Sequence, residues 1–266
     1  MTDLPQGIHD GIPEREYHAD PALSQSQAKT LLDCPARLAW QREHPIKPTA
    51  EMELGTVIHA LTFGTPDPHV VIDAYSWRTK AAKDAADQAR AAGLIPVLAK
   101  DMPRAQECAR KVREHPYVAG ALTQGAPEQS MWWRDEDTGV ECRGRIDWLT
   151  VDDAGTPVLL DLKTTGDVSG DGWGTHVARY GYHLQAAAYL DGFRTLTGQE
   201  ATFLYVAVER DAPHFIRVYY PTPDVLHVGL ERWREALTTY RECVERDEWP
   251  GYPTHPTPFD LPRWAA

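Results

Sequence analysis

The sequence predicts a mixed α/β protein, and three patterns along the chain indicate this class. Helical periodicity dominates residues 1–127, strand-like segments joined by turns occupy residues 128–220, and a helix and tail follow over 221–266. We expect these parts to form a single domain over 1–266. The chain is 42% hydrophobic and 25% charged, which excludes collagen-like, disulfide-rich and largely disordered proteins.

The helices of the N-terminal part are predicted from their start signals. Ser24 is a good N-cap for a first helix, which we expect to be interrupted at Pro35. A second helix is expected over 51–63. Two more are expected over the alanine-rich segment 78–92 and over 103–114, which has a proline in its first turn. Residues 1–20 carry no helix or strand signal, so we expect them to be irregular.

From residue 128 the periodicity changes to that of strands, and turn residues separate the segments. A nearly all-apolar segment at 158–162 indicates a strand that is buried on both faces. The elements predicted for the rest of the chain are strands at 129–134, 140–150, 158–162, 203–209 and 215–220, and helices at 180–197 and 223–247.

Charge and cysteine content limit the possible functions. The net charge of −12 argues against a protein that coats nucleic acid with a broad basic surface, although it allows an enzyme with cations in a channel. The acidic N-terminus does not resemble a secretory signal, and no apolar stretch is long enough to span a membrane, so we expect a cytoplasmic protein without membrane contact. None of the 4 cysteines forms a Cys-x-x-Cys pair, so we expect reduced, mostly buried thiols.

Three residues of the strand region carry the most chemical information. Asp147 closes the second predicted strand, and Asp161 and Lys163 lie two residues apart in the third. Because alternate side chains of a strand share one face, Asp161 and Lys163 point the same way while Leu162 points into the core. Two carboxylates from adjacent strands can share Mg²⁺, and the lysine can hold the attacking water or offset phosphate charge. The alternative is a structural Asp–Lys ion pair.

Two further positions could add to this group. Gln185 and Tyr189 lie at i and i+4 on the predicted helix that follows the lysine strand, and both suit hydrogen bonding to a phosphate or a base edge. The alternative is an ordinary amphipathic helix. His59 lies on the second predicted helix, where its neutral imidazole could be a third metal ligand or the residue could be structural.

In their order along the chain, these motifs resemble the PD-(D/E)xK nuclease superfamily in its RecB-like branch. The resemblance is closer to the RecE-type exonucleases of phages and prophages, the group of the exodeoxyribonuclease VIII nuclease domain. The motifs that carry it are Tyr17–Ser26, Leu54–His59, Arg78-Thr79, Cys142–Asp147, Asp161–Thr165, Tyr182–Gln185, Asp247–Pro250 and Leu261–Trp264.

This resemblance implies a PD-(D/E)xK nuclease fold, with a central mixed sheet flanked by helices and a helical N-terminal segment. It also implies a Mg²⁺ site, at which Mn²⁺ could substitute. The metal ligands implied are His59, Asp147, Asp161 and the Leu162 carbonyl. Lys163 would be the catalytic lysine, Gln185 and Tyr189 would assist catalysis and hold the substrate strand, and Glu128 matches an acidic residue near the metal. The candidate DNA contacts are Arg78, Lys80, Lys83, Arg143, Arg145, Gln185 and Tyr189.

The activity implied is 5′→3′ digestion of linear double-stranded DNA, which leaves 3′ overhangs for recombination by strand annealing. A RecT-like annealing protein would be the partner. A ring-shaped homo-oligomer is implied, a tetramer ahead of a trimer, and surplus tryptophans could anchor its contacts: Trp132, Trp133, Trp173, Trp233, Trp249 and Trp264. An iron–sulfur cluster is not expected, because only Cys243 lies in the C-terminal third. The alternatives are a RecB-like endonuclease or helicase-associated nuclease, and a catalytically inactive DNA-binding or assembly module.

Overall fold

A computed structural model describes residues 6–66 and 69–261 of the chain. In chain order, its elements are β1 (Gly7–His9), α1 (Glu14–Ala19), β2 (Leu23–Ser24), α2 (Gln25–Asp33), α3 (Pro35–Glu43), α4 (Ala50–Phe63), β3 (His69–Ile72), α5 (Lys80–Ala91), β4 (Ile95–Leu98), α6 (Met102–Glu114), α7 (Pro116–Ala121), β5 (Ala126–Arg134), β6 (Glu141–Val151), β7 (Pro157–Thr165), α8 (Gly170–Tyr180), α9 (Tyr182–Thr197), β8 (Thr202–Glu209), β9 (Ile216–Tyr219) and α10 (Pro223–Arg246).

A mixed sheet lies at the centre of this fold, as the sequence predicted. Its strand order is β1-β5-β6-β7-β8-β9, and the short strand β2 pairs with β6. The pairs β7–β8 and β2–β6 are parallel, and the remaining pairs are antiparallel. Within the described residues, β3 and β4 form a separate parallel pair. Helices α8 and α9 form the crossover from β7 to the parallel strand β8, as parallel pairing requires.

The sheet separates two apolar cores, as β7 shows most clearly. Leu159 belongs to the core that also contains Trp233 of α10, whereas Leu160 belongs to the core that contains Ile58 of α4. Adjacent residues of a strand point to opposite faces, so this continuous apolar segment fills both cores. Helices therefore pack against β7 from both faces of the sheet.

The predicted start of the first long helix is confirmed by its cap. Ser24 accepts a hydrogen bond from the Gln27 backbone, and the Gln27 side chain accepts one from the Ser24 backbone, which makes a capping box. Helix α2 ends at Asp33, and α3 begins at Pro35, where the sequence predicted an interruption. The other predicted N-terminal helices correspond to α4, α5 and α6, with ends shifted by two residues or fewer.

The prediction missed helix α8 and was wrong for the N-terminal segment. The helix expected over 180–197 corresponds to α9, but Gly181 adopts the left-handed conformation (φ 70°) and separates α9 from the preceding α8, which was not predicted. Glycines at 170, 172 and 174 mask α8 in the sequence, because glycine is a poor helix former. Residues 1–20 were expected to be irregular, yet they contain β1 and α1.

Four of the six tryptophans considered as subunit contacts pack inside the chain. Trp132, Trp133, Trp173 and Trp233 are buried, so the expectation that they anchor subunit contacts is wrong for these four. Trp249 is half-buried and packs against Tyr240, and Trp264 lies outside the described residues. All four cysteines are free and buried, as expected. None of the helices within 6–66 and 69–261 has both the length and the apolar character needed to cross a membrane.

Candidate active site

The candidate site lies where β6 and β7 separate. Their paired residues run from Val151 and Pro157 to Trp148 and Leu160, and no pairing follows beyond that point. Continuation of the same register would bring Asp147 of β6 opposite Asp161 of β7. Because the strands have parted there, a side chain can enter between them. Oδ2 of Asp147 accepts a hydrogen bond of 2.8 Å from the backbone N–H of Leu162.

His59 approaches the same carboxylate from α4. Its Nδ1 atom lies 3.3 Å from Oδ2 of Asp147. The helix is fixed by Val57 and Ile58, which are buried in the core on that face of the sheet. Phe63, one turn further along, contacts the His59 ring edge-on, with centroids 6.1 Å apart. The structure therefore brings His59 and Asp147 together, although about 90 residues separate them in sequence.

Asp161 is buried and has partners on both carboxylate oxygens. The amide Nε2 of Gln185, on α9, donates a hydrogen bond of 2.6 Å to Oδ1. Nζ of Lys163 lies 2.6 Å from Oδ2 in an ion pair, although this contact lacks hydrogen-bond geometry, and Oδ2 accepts no hydrogen bond from the described residues. Asp161 and Lys163 share a face of β7, as strand alternation predicted.

The charges of the site influence one another strongly. Burial raises the pKa of Asp147 to about 6, and the nearby Asp161 carboxylate adds to this rise, while His59, Lys163 and the Leu162 N–H oppose it. Burial acts to lower the pKa of Lys163, but the Asp161 and Asp147 carboxylates outweigh that effect and raise it. The site thus holds an aspartate, Asp147, whose ionised form is disfavoured, and a lysine that stays protonated.

The donor atoms match those that a divalent cation uses. Carboxylate oxygens suit Mg²⁺, and carboxylate with imidazole suits Mn²⁺. Oδ2 of Asp161 accepts no hydrogen bond from the described residues, although the Lys163 ammonium lies beside it. Among the described residues, however, no three His, Cys, Asp or Glu side chains are arranged closely enough to form a complete set of ligands. In the structure the two carboxylates are instead bound by groups of the chain itself, Asp161 by Lys163 and Asp147 by the Leu162 N–H.

Glu128 lies on the other neighbour of β6. Pairing of Pro127 with Trp148 and of Gln129 with Ile146 puts Glu128 at the register position opposite Asp147. Its backbone has a positive φ of 47°, which is uncommon for a residue with a side chain and is often associated with functional sites.

The Glu128 side chain is half-exposed and contacts two residues from other segments. Thr65, just after α4, donates a hydrogen bond of 3.5 Å to Oε1. Arg145 lies 3.9 Å from Oε2. The structure therefore joins Glu128 to the end of the helix that carries His59 and to the strand that carries Asp147.

Two predicted DNA-contacting arginines have structural positions instead. Arg143 is buried, and its guanidinium donates hydrogen bonds to the carbonyls of Ala22 and Tyr17. Arg145 donates to Ser130 Oγ and to a backbone carbonyl near the N-terminus, and only 14% of its side chain is exposed. Both guanidinium groups also lie over the Tyr17 ring. In these positions the arginines attach the N-terminal segment to the sheet, so their guanidinium donors are already used within the chain.

Tyr189 is likewise structural rather than a substrate contact. Its ring is buried against Gly144, where an added Cβ would lie 2.8 Å from the ring. Its hydroxyl accepts a hydrogen bond of 3.2 Å from the backbone N–H of Arg145. These contacts fix the strand two residues before Asp147. Tyr189 thus positions the strand that carries Asp147, and Gln185 positions Asp161 directly.

The three predicted cations around α5 lie on the surface. Arg78, Lys80 and Lys83 are exposed and make no ion pair within 6–66 and 69–261. No contact among the described residues joins them to Asp147 or Asp161. Their proposed contact with DNA therefore depends on how DNA would lie across the molecule.

Sequence reasoning missed the partners of Lys163 and Thr165. The Lys163 ammonium lies 5.0 Å from the ring centroid of Tyr182, and the hydroxyl of Thr165 is hydrogen-bonded to Nδ1 of His176. Together with Asp161 and Gln185, each alternate residue of this part of β7 meets a side chain from α8 or α9. A signal for Tyr182 was present, because it lies three residues before Gln185 and so shares its helix face.

Comparison with known proteins agrees with this fold. A mixed sheet that parts around two acids and a lysine is the arrangement of a PDDEXK-like domain. The chain belongs to the family described as "PDDEXK-like domain of unknown function" (DUF3799), whose sequence profile matches residues 24–256 and so includes every residue of the site.

One solved structure shows a similar fold. The crystal structure of a protein from Eubacterium rectale, described as a "Putative exonuclease", superposes with a TM-score of 0.63 at 13% identity, covering 95% of this chain and 97% of that one. A second structure, described as SSO0001, has a TM-score of 0.32 at 12% identity over 75% of this chain and 87% of that one, which is too low to indicate a shared fold. No curated protein sequence matches the chain.

Proposed function

We propose that this protein is a metal-dependent exodeoxyribonuclease of the RecE type, which digests linear double-stranded DNA from 5′ to 3′. The observation that carries the proposal is the group of Asp147, Asp161 and Lys163 at the separation of β6 and β7, with His59 3.3 Å from Asp147. Two largely buried acids at a strand end cost free energy unless a cation binds there. A structural ion pair alone would need only Asp161 and Lys163.

The residues divide the chemistry of phosphodiester hydrolysis among them. His59, Asp147, Asp161 and the Leu162 carbonyl would hold Mg²⁺, or Mn²⁺ in its place. When bound, the metal supplies an activated water and neutralises charge on the phosphate. Lys163 stays protonated, so it can orient the attacking water and stabilise the charge that develops on the phosphate oxygens. Gln185 orients Asp161 through its hydrogen bond, and Tyr189 orients the strand of Asp147.

The direction of digestion, the duplex substrate and the biological role rest on the resemblance to RecE-type nucleases. The description of the Eubacterium rectale protein as a "Putative exonuclease" supports exonuclease activity in general and says nothing of direction or substrate. The proposed product is a duplex with 3′ overhangs, onto which a RecT-like annealing protein would load for recombination. A cytoplasmic location in a bacterial host is part of the same proposal.

A closed ring around the duplex would explain how an acidic protein stays on its substrate. With a net charge of −12, a monomer would lose phosphate contacts readily as salt increases. We therefore propose a ring-shaped homo-oligomer, a tetramer ahead of a trimer. Light scattering at micromolar concentration tests it: a mass near that of one 29.8 kDa chain, unchanged by DNA, would contradict the ring.

Digestion of end-labelled DNA tests the activity directly. Linear duplex labelled at the 5′ end or at the 3′ end is incubated with the protein in Mg²⁺ and in EDTA, beside a closed circular duplex. We expect early release of the 5′ label as nucleotides, a 3′ label that remains on long fragments, an intact circle and no reaction in EDTA. Nicking of the circle would favour the endonuclease alternative, and no Mg²⁺-dependent cleavage of any DNA would favour the inactive module.

A further inference from the structure

An aromatic path leads from Lys163 to the protein surface. The Lys163 ammonium lies over the ring of Tyr182, and the Tyr182 ring stacks on that of Tyr180 with centroids 5.8 Å apart and planes 26° apart. Tyr180 ends α8 and is 44% exposed. The turn at Gly181 makes this stacking possible, because its left-handed backbone joins α8 to α9 with a single residue.

Two cations lie beside the exposed end of this path. Nζ of Lys29 is 5.5 Å, and Cζ of Arg179 is 5.7 Å, from the centroid of the Tyr180 ring. Neither cation forms an ion pair within the described residues. Burial and the positive charge of Arg179 lower the pKa of Lys29, and Asp33 opposes them only in part. Two like charges held this close are favourable for an anion that binds between them.

A cleft of about 470 Å³ lies next to Tyr180, since Lys29 and Gly181 are among its lining residues. His183 and Arg232 also line it. The acidic residue in the lining, Asp33, is already paired with Arg37. The volume of the cleft lies in the range of about 300–1,000 Å³ that is typical of ligand sites.

We infer that Tyr180 stacks an unpaired base of a DNA strand, whose phosphates are held by Lys29 and Arg179, next to Lys163. An aromatic ring with flanking cations is how proteins hold single strands without sequence preference, because every base has a π-face. In a chain with a net charge of −12, a group of unpaired cations around an exposed ring favours an anionic ligand. The inference rests on the proposed nuclease function, for which it supplies a site for the strand beside the scissile phosphate.

Binding of two oligonucleotides with equal charge tests the stacking. Fluorescence anisotropy is measured in EDTA, so that nothing is cleaved, with a labelled oligo-dT and with an abasic oligonucleotide of the same length. We expect the wild type to bind oligo-dT about tenfold more tightly. Tyr180→Ala should lose this preference, whereas Tyr180→Phe should keep it. The matched control is Tyr117→Ala, which removes another half-exposed tyrosine, on α7, and should keep the preference too.

The phosphate contacts are tested by the salt dependence of oligo-dT binding. Lys29→Gln and Arg179→Gln should each reduce the slope of log K against log salt by about 0.7, the value for one phosphate contact on a single strand. An unchanged slope in both variants would overturn the assignment of these cations. Equal preference for oligo-dT in Tyr180→Ala and wild type, or no preference in the wild type, would overturn the stacking. Melting curves show that each variant is folded.

The same samples distinguish this inference from the proposed function. Wild-type hydrolysis of linear duplex is measured in Mg²⁺ beside the binding. Hydrolysis without a preference for oligo-dT would overturn only the stacking site. A preference that depends on Tyr180, without hydrolysis, would support the stacking site and overturn the nuclease activity.

Discussion

Asp147 and Asp161 occupy facing positions on β6 and β7, one residue beyond the last pair of these strands, Trp148 and Leu160. The backbone N–H of Leu162 donates to the Asp147 side chain and not to a backbone carbonyl of β6. The Asp147 carboxylate thus takes the place of strand pairing at this point. Burial raises the pKa of Asp147 to about 6, and repulsion by the Asp161 carboxylate adds to this rise. The metal-free site therefore reduces the stability of the fold, and a bound cation would offset that cost if the proposed metal site is occupied.

We expect Asp147→Asn to stabilise the metal-free protein at pH 8. A carboxyl whose pKa is about 6 in the folded state, against an ordinary value of 3.8, binds its proton more tightly when the protein is folded. Its contribution to the free energy of unfolding therefore falls as pH rises from below 4 to above 6. At ~1.36 kcal/mol per pKa unit, the asparagine recovers up to about 3 kcal/mol at pH 8 and less at pH 5.

Thermal melts in EDTA at pH 5 and pH 8 check this prediction. The control is Asp153→Asn, because Asp153 is exposed in the turn between β6 and β7. The stabilisation should be larger at pH 8 than at pH 5 for Asp147→Asn and absent for the control. A variant that melts below the wild type at both pH values would contradict the assigned cost of Asp147.

His59→Ala should raise the Mg²⁺ concentration needed for half-maximal activity. The imidazole lies 3.3 Å from Asp147, so its loss removes one proposed ligand and leaves the two carboxylates. Activity is titrated against Mg²⁺ for this variant and for His227→Ala, which removes an exposed histidine of α10. A lower melting temperature with an unchanged Mg²⁺ requirement would make His59 a structural residue.

Lys163→Met should inactivate the enzyme without weakening metal binding. In the proposed mechanism the ammonium would stabilise charge on the reacting phosphate, but it also competes with a metal for Oδ2 of Asp161. Its removal frees that oxygen, so calorimetry should give a Mn²⁺ affinity equal to or above that of the wild type. An affinity as low as that of Asp161→Ala would contradict a catalytic role that is separate from metal binding.

Gln185→Leu should lower kcat by about 10- to 100-fold, as is usual when a residue that orients a metal ligand is lost. The leucine removes the donor to Oδ1 of Asp161 and keeps the volume on α9. Tryptophan fluorescence and melting report the fold, and the Mg²⁺ titration reports the orientation of Asp161. Gln106→Leu, an exposed position on α6, should behave as wild type. Full activity of Gln185→Leu at every Mg²⁺ concentration would exclude this positioning role.

Much of the fold was predictable because its signals are local. Strand alternation and caps located β5, β6, β7 and the helices α2, α4, α5 and α6 to within a few residues. The pair β3–β4 was not predictable, because its two four-residue strands lie more than 20 residues apart and only tertiary packing joins them. Helix α8 was hidden by its glycines, and its stability comes from the buried Trp173 rather than from propensity.

The candidate site was predictable in its members but not in all their roles. Asp161 and Lys163 share a face because strand alternation is a local rule. The burial of Arg143 and Tyr189 depends on the N-terminal segment and on Gly144, which the sequence cannot place. Hydrogen-bonding side chains near a site look alike in sequence whether they face a substrate or fix a strand, and only their partners distinguish the two.

The most direct test of the account compares Asp161→Ala with Asp153→Ala in the hydrolysis of linear duplex DNA in Mg²⁺. Asp161 is buried between Gln185 and Lys163, whereas Asp153 is an exposed acid eight residues earlier. We expect Asp153→Ala to match the wild type and Asp161→Ala to lose activity by at least about a thousandfold while its melting curve stays cooperative. Hydrolysis by folded Asp161→Ala at a rate near that of the wild type would contradict the assignment of the active site.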